Sequence, residues 1–428
     1  MEELVMGTII KTQKGKTIKI CEKLGEGGQG IVYKVSYNGK PMAFKWYHSN
    51  IIKYSSKFYQ NLENNIGKGA PTSSFLWPQD ITEKSEKGYG YIMDLCPPEF
   101  KDFSLFLLAK EKFSSVTAMI NAGLYIIEAF RELHNLGYSY QDLNDGNFFV
   151  NPKSGEVLIC DNDNVVEYGK NLCVAGKCRY MAPEIVTGMA LPSIHTDKFS
   201  LAVILFLLLM RNHPLEGKRS YPPCMTEDIE RKIYGEEPLF IFDKDDKSNE
   251  AVFGINNNSI NRWPLYPSYI REKFTEAFSQ AALKDPSKRI IEKEWLKNFI
   301  RLRGEIYKCK KCGDIFFSDP VNKTPCPYCR NIQHFEHHIA LPKMNVAIHE
   351  RTKLFECHIN PDSDDFRNIA AETVINEVSG ALELKNKSKK TWLIINKDGK
   401  QISKTSGKTV PIETDTQIIF GNAKGEIK

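Results

Sequence analysis

The sequence predicts an α+β chain: a two-lobed first part, small and β-rich and then larger and helical, followed by a four-cysteine ribbon and a small all-β sandwich. Three observations carry this. Between Thr17 and Tyr47 apolar and polar residues alternate with glycines at the turns, the pattern of a half-buried antiparallel sheet. From Val116 to His134 apolar residues recur at helical spacing, and Phe199 to Met210 is apolar on all sides, which marks an enclosed helix. Beyond Tyr307 two C-x-x-C pairs precede strand-like runs separated by turn signals, among them Trp392 to Asn396 and Thr416 to Phe420.

At about 150 residues per domain, 428 residues suggest three folded units. Hydrophobic residues at 41%, aromatics at 11% and charged residues at 26% supply a real core and exclude wholesale disorder. A formal charge of +5, from 58 Lys+Arg against 53 Asp+Glu, is too small to imply a dedicated nucleic-acid surface. The 12-residue run Phe199 to Met210 is shorter than the roughly 20 residues a membrane span needs, so no membrane partner is expected. Met1-Glu2-Glu3-Leu4 has no signal-peptide character, and a cytoplasmic location is expected. Seven of the eleven cysteines, at 21, 96, 160, 173, 178, 224 and 357, are scattered singly and form no disulfide framework.

In the first lobe the chain reverses at Asn38-Gly39, and Gly25-Glu26-Gly27-Gly28-Gln29-Gly30 fits G-x-G-x-x-G. Those glycines alone can serve a tight turn as well as a phosphate cradle. Context separates two nucleotide readings. A dinucleotide fold opens this loop into a helix, whereas Ile31-Val32-Tyr33-Lys34-Val35 continues as a strand.

Further motifs follow in order, and residues 17 to 302 resemble the protein kinase family. Met42-Ala43-Phe44-Lys45 resembles the third-strand motif whose lysine meets the ATP phosphates, with Glu63, 18 residues on, as its expected ion-pair partner. Tyr140-Gln141-Asp142-Leu143-Asn144-Asp145-Gly146-Asn147 resembles the catalytic loop, which implies Asp142 as base and Asn147 as a magnesium ligand. Val157-Leu158-Ile159-Cys160-Asp161 resembles the strand leading to the second magnesium ligand, Asp161. Tyr180-Met181-Ala182-Pro183-Glu184 is similar to the end of an activation segment, Asp197 opens the enclosed helix, and Arg289 is the expected partner of Glu184. The resemblance also places nucleotide around Gly25, Gly27, Gly28, Gly30, Val32 and Ala43, with Met93 behind adenine and Asp94-Leu95-Cys96 as the hinge. The implied kinase domain is residues 1–304, with lobes at about 1–93 and 97–304. It would use ATP and Mg2+ to phosphorylate Ser/Thr hydroxyls of a protein substrate.

Departures from the family pattern carry their own expectations. Gln141 replaces the arginine that reads an activation-segment phosphate, and Asp161 to Glu184 holds no serine or threonine, so activity without phosphorylation there is expected. Asn144 stands where Ser/Thr kinases place a lysine, and Lys177 where they have threonine. Either Lys177 supplies the missing ammonium beside Asp142 or it is a solvated surface charge. Asn162-Asp163 replaces Phe-Gly, removing the apolar plug that toggles many kinases. The alternative to an enzyme is a nucleotide-binding pseudokinase scaffold acting through its C-terminal modules.

Cys309-Lys-Lys-Cys312 and Cys326-Pro-Tyr-Cys329, with 13 residues between the pairs, suit a closed four-thiolate structural Zn2+ site over residues 305–339; redox dithiols or simply buried cysteines are the alternatives. His334, His337 and His338 are then surplus. Residues 340–428, through Leu382 to Ser388, Trp392, Asp398-Gly399, Val410-Pro411-Ile412 and Ile418 to Gly421, resemble the second half of a forkhead-associated domain without its phosphothreonine-gripping signatures. An unrelated sandwich is the alternative. The combination is similar to bacterial kinases of tellurium-resistance or stress phosphorylation triads, whose partners are a metal-dependent phosphatase and a von Willebrand A-type protein.

Overall fold

The computed structural model describes residues 3–47, 55–85, 88–172, 176–221, 224–322 and 324–428; Cys173 lies outside them. The chain forms two compact units, residues 1–260 with 272–292, and residues 261–271 with 293–428.

The first unit opens with a six-stranded antiparallel sheet of order β1-β2-β3-β4-β6-β5, where β1 is Ile9–Lys11, β2 Thr17–Glu26, β3 Gly30–Tyr37, β4 Lys40–Tyr47, β5 Asp80–Ile81 and β6 Gly90–Met93. Alternation sorts its faces: Ile31, Tyr33, Val35 and Tyr37 join Ile18, Ile20 and Phe44 in one buried cluster, while Val32 packs with Ala43 and Met93 in another. Asn38 (φ 50°) and Gly39 (φ 84°) take the two left-handed positions a tight hairpin turn demands. A Cβ on Gly30 would lie 2.2 Å from the Trp46 carbonyl oxygen, so β3 can start beside β4 only with glycine there. At Gly25, Gly27 and Gly28 the same Cβ meets open space.

In the helical lobe Ser115 caps the Val116–Asn135 helix, its hydroxyl accepting from the Ala118 amide at 3.0 Å. The helix Ile194–Met210 is buried from Phe199 onward and packs Phe206 edge-on against Phe240, Phe274 and Phe278. Among the described residues no helix is long and apolar enough to cross a membrane.

The second unit takes in residues 261–271 and then runs on from Lys293, ahead of the ribbon expected over residues 305–339. Its helix Glu292–Gly304 runs straight into the strand Ile306–Lys308, and Glu305 accepts from Tyr269 Oη at 2.9 Å and Arg301 Nε at 2.7 Å. Ile306–Lys308 pairs with Ile315–Phe317 to form the cysteine ribbon. Ten further strands form a six-stranded sheet (344–347, 338–341, 424–427, 417–419, 392–395, 401–404) and a four-stranded one (353–355, 369–375, 382–386, 409–411). Asn386, fully buried in the smaller sheet, donates to the Lys390 and Lys404 carbonyls at 2.8 and 3.1 Å, joining it to the larger sheet. The α+β class follows directly.

Candidate active site

Strand β4 puts Lys45 and Tyr47 on one face, two residues apart, and its register sets Tyr91 of β6 opposite Lys45. The Lys45 side chain is 4% exposed, and its ammonium donates to Asp161 Oδ1 at 3.1 Å, Asp163 Oδ2 at 2.9 Å and Gln29 Oε1 at 2.9 Å. Burial works against that charge, but Asp161 and Asp163 outweigh it and hold the Lys45 pKa above the ordinary lysine value. The expected pair with Glu63 is not made. On the helix Ser55–Lys68 the buried residues are Phe58, Tyr59, Asn61, Leu62 and Asn65, whereas Glu63 is exposed and accepts from Gln13 Nε2 at 2.7 Å.

The catalytic-loop residues lie beneath. Asn147 Nδ2 donates to the Asp142 carbonyl at 3.0 Å and to Tyr140 Oη at 3.0 Å, and Tyr140 Oη bonds the Cys160 carbonyl. These bonds fix Asn147 against Asp142 and against the strand that delivers Asp161. Asn144 Nδ2 donates to Asp142 Oδ1 at 3.1 Å. Burial pushes the Asp142 carboxyl up to about 6; the Asn144 bond and Lys177 hold it down, and Asp161 adds to the rise. Gln141 (φ 64°) and Asp161 (φ 55°) are both left-handed without being glycine, strain of the kind that collects at functional sites. The Tyr140 amide is anchored at 2.7 Å by Asp197, which also meets His134 Nε2 at 3.1 Å. Glu184 and Arg289 form the expected bidentate pair at 2.6 and 2.7 Å.

A glycine loop over two strands, a buried lysine on an aspartate, and an Asp/Asn/Asp set at kinase spacing stand together. The protein kinase domain matches residues 18–298, more than half the chain. The chain belongs to the protein kinase family. Similar proteins include a probable serine/threonine-protein kinase, CCRP1, of Zea mays (29% identity over 49% of this chain and 33% of the relative). Others are a probable serine/threonine-protein kinase of Dictyostelium discoideum (24%; 73% and 30%) and protein kinase YegI of Escherichia coli K12 (23%; 76% and 50%). The chain spans a third to a half of the length of these curated relatives.

Within this kinase domain Ala43 and Met93 are buried in a cluster bordered by Val32, Leu95, Cys96 and Leu158, an apolar setting suited to a purine ring, while Asp94 is exposed. Burial, with Glu99 nearby, pushes the Cys96 thiol up to about 11. Lys177 is 58% exposed, and its ammonium lies 3.4 Å from Asp145 rather than on Asp142. Asn162 is fully buried and its amide donates to the Leu76 and Ile159 carbonyls at 2.8 and 2.9 Å, so a polar side chain occupies the plug position with backbone partners. Sequence reasoning missed four participants: Asp163, Gln29, Asn61 and Asn65. The one available signal was the second acid of Asp161-Asn162-Asp163.

In the second unit the sulfurs of Cys309, Cys312, Cys326 and Cys329 all lie within 4.8 Å of one another. The pairs Cys309–Cys329 and Cys312–Cys326 are 3.6 and 3.7 Å apart, far beyond a disulfide and close to the edge of about 3.8 Å of a tetrahedron with Zn–S bonds near 2.3 Å. Gly313 (φ 79°) and Arg330 (φ 61°), each just after a pair, turn left-handed in the same way. The four cysteines fit a metal ion of this kind.

Proposed function

We propose that the chain is an ATP-dependent protein kinase that phosphorylates Ser/Thr hydroxyls, with Asp142 as base, Lys45 on the nucleotide phosphates, and Asn147 and Asp161 as the Mg2+ ligands. The observation that carries this is the linked set Lys45–Asp161 and Asn147–Asp142, in which every group of the phosphoryl-transfer chemistry is held by a hydrogen bond. Burial raises the Asp142 pKa only to about 6, so the carboxylate is ionised at neutral pH, and Asn144 orients it to take the acceptor proton. Bound magnesium would neutralise charge on the β- and γ-phosphates. Lys45 would add a fixed positive charge on the nucleotide side.

The reading includes activity without phosphorylation of the activation segment. Gln141, buried, donates from Nε2 to the Lys170 carbonyl at 2.9 Å and accepts from the Leu172 amide at 3.3 Å. An amide clip thus ties the start of the segment to the catalytic loop, where a phosphate–arginine pair would otherwise be needed. Zn2+ in the ribbon is assigned a structural role, since four thiolates leave no open position. The forkhead-associated-like sandwich is assigned a docking role, for substrates or for the phosphatase and von Willebrand A-type partners of a phosphorylation triad.

The test is labelled phosphate transfer from Mg-ATP, to the chain itself and to a generic protein, using phosphatase-treated protein. Transfer that disappears in Asp142→Asn is the expected outcome. Tight Mg-ATP binding without transfer would replace this reading with the pseudokinase scaffold.

A further inference from the structure

A lysine that meets phosphate groups needs an anion to hold it extended, and in this chain the carboxylate at the expected helical position is turned away. Glu63 faces solvent and serves Gln13. We propose that Asp163 is the positioning residue for Lys45, and that Asn61 and Asn65 hold Asp163 in place. The helix Ser55–Lys68 then acts on the lysine through the segment after Asp161, not through a carboxylate of its own. The inference deepens the kinase reading and rests on it.

Four contacts saturate the Asp163 carboxylate. Oδ1 accepts from Lys45 at 3.2 Å and Tyr91 Oη at 3.0 Å, and Oδ2 accepts from Lys45 at 2.9 Å and Tyr47 Oη at 2.9 Å. The Asp163 side chain is fully buried, and all three donors stand on the paired strands β4 and β6, so the cage is built on the sheet. Removing the charge partner or the hydroxyls would strand a buried carboxylate where water cannot solvate it, which favours this arrangement. Asp161, by contrast, is 38% exposed and shares only Oδ1 with the lysine. The two acids divide the work: Asp163 fixes the lysine, and Asp161 can turn to a metal ion without releasing it.

The helix contributes through amides. Asn61 and Asn65, four residues apart and on one face, donate to the Val165 carbonyl at 2.8 and 2.9 Å, and Asn61 reaches the Asp163 carbonyl at 3.5 Å. This clamps the backbone on which Asp163 sits.

The experiment measures the acetylation rate of Lys45 by acetic anhydride, peptide by peptide in a mass spectrometer, on the full chain. Variants are Asp163→Asn, Asn61→Ala with Asn65→Ala, and Glu63→Gln. Release of the buried ion pair should speed labelling about 10-fold in Asp163→Asn and about 3-fold in the double asparagine variant, with Glu63→Gln within about 2-fold of the parent. In the transfer assay Asp163→Asn should lose about 30-fold in kcat/KM for Mg-ATP, most of it in kcat, because chemistry needs the lysine aligned. Faster labelling in Glu63→Gln with none in Asp163→Asn overturns the proposal. Labelling requires no turnover, so a parent chain that transfers no phosphate would sink the kinase reading while the labelling rates still decide this one. If Asp163→Asn fails to fold, the asparagine pair decides, since it leaves every charge in place.

Discussion

Two lysines flank the proposed catalytic residues, and they are built in opposite ways. Lys45 is 4% exposed and gripped by two carboxylates; Lys177 is 58% exposed and lies 3.4 Å from Asp145. Inside the protein an ion pair is held by its surroundings, and removing one member strands the other in a medium that cannot solvate it. At the surface water competes for both partners, so the contact tunes the local field without holding the structure. The same charge is therefore architecture at one position and adjustment at the other.

Lys45→Met tests the first half of that contrast and carries the largest expected effect. It leaves the Asp163 carboxylate buried without its cation, so stability should fall by about 3–5 kcal/mol along with loss of phosphate transfer. Denaturant unfolding of parent and variant measures it, and a loss under about 1 kcal/mol would show that Asp163 is not held as described.

His134 offers an intermediate case, buried like Lys45 but able to titrate. Its ring meets Asp197 at 3.1 Å and Glu292 at 2.8 Å. Burial opposes its charge, yet the two carboxylates raise the pKa from 6.5 to about 9. Because the folded value is the higher one, the contribution is complete below about pH 6.5 and is lost as pH rises through about 9. Its size is on the order of 3 kcal/mol at about 1.36 kcal/mol per unit. Urea midpoints at pH 6 and pH 9.5 should separate for the parent and converge for His134→Gln. Equal pH dependence in both would remove the histidine from the network.

Lys177→Met is the smallest perturbation. Stability should stay within about 0.5 kcal/mol, as for other exposed sites. Turnover should fall only about three- to tenfold, since Lys177 lowers the Asp142 pKa without touching its carboxylate through the ammonium. Full turnover would mark Lys177 as a solvated charge, and recovery in Lys177→Met with Asn144→Lys would establish the charge swap.

Much of the fold is legible because local rules write it. Alternation in Gly30–Tyr37, a left-handed Asn38-Gly39 turn and the apolar run ending at Met210 each follow from neighbours along the chain. The Cys309–Cys329 cluster is legible for the same reason, as ligand spacing is itself a local property. The partner of Lys45 was not. Glu63 lies at a plausible sequence distance, but which face of Ser55–Lys68 turns inward was decided by Asn61 and Asn65 meeting the Val165 carbonyl about a hundred residues away. Gln141 likewise read only as a missing arginine; its clip on Lys170 and Leu172 needed the folded segment beside it.

The sequence by itself determined the order of the lobes, the glycine loop, the positions of Asp142, Asn147 and Asp161, and the four-cysteine ribbon, because periodicity and motif spacing act over a few residues. Only the tertiary structure decided which carboxylate holds Lys45 and where the Lys177 ammonium rests. Those choices pair groups separated by up to 118 residues, and their outcome depends on burial, which no local pattern sets.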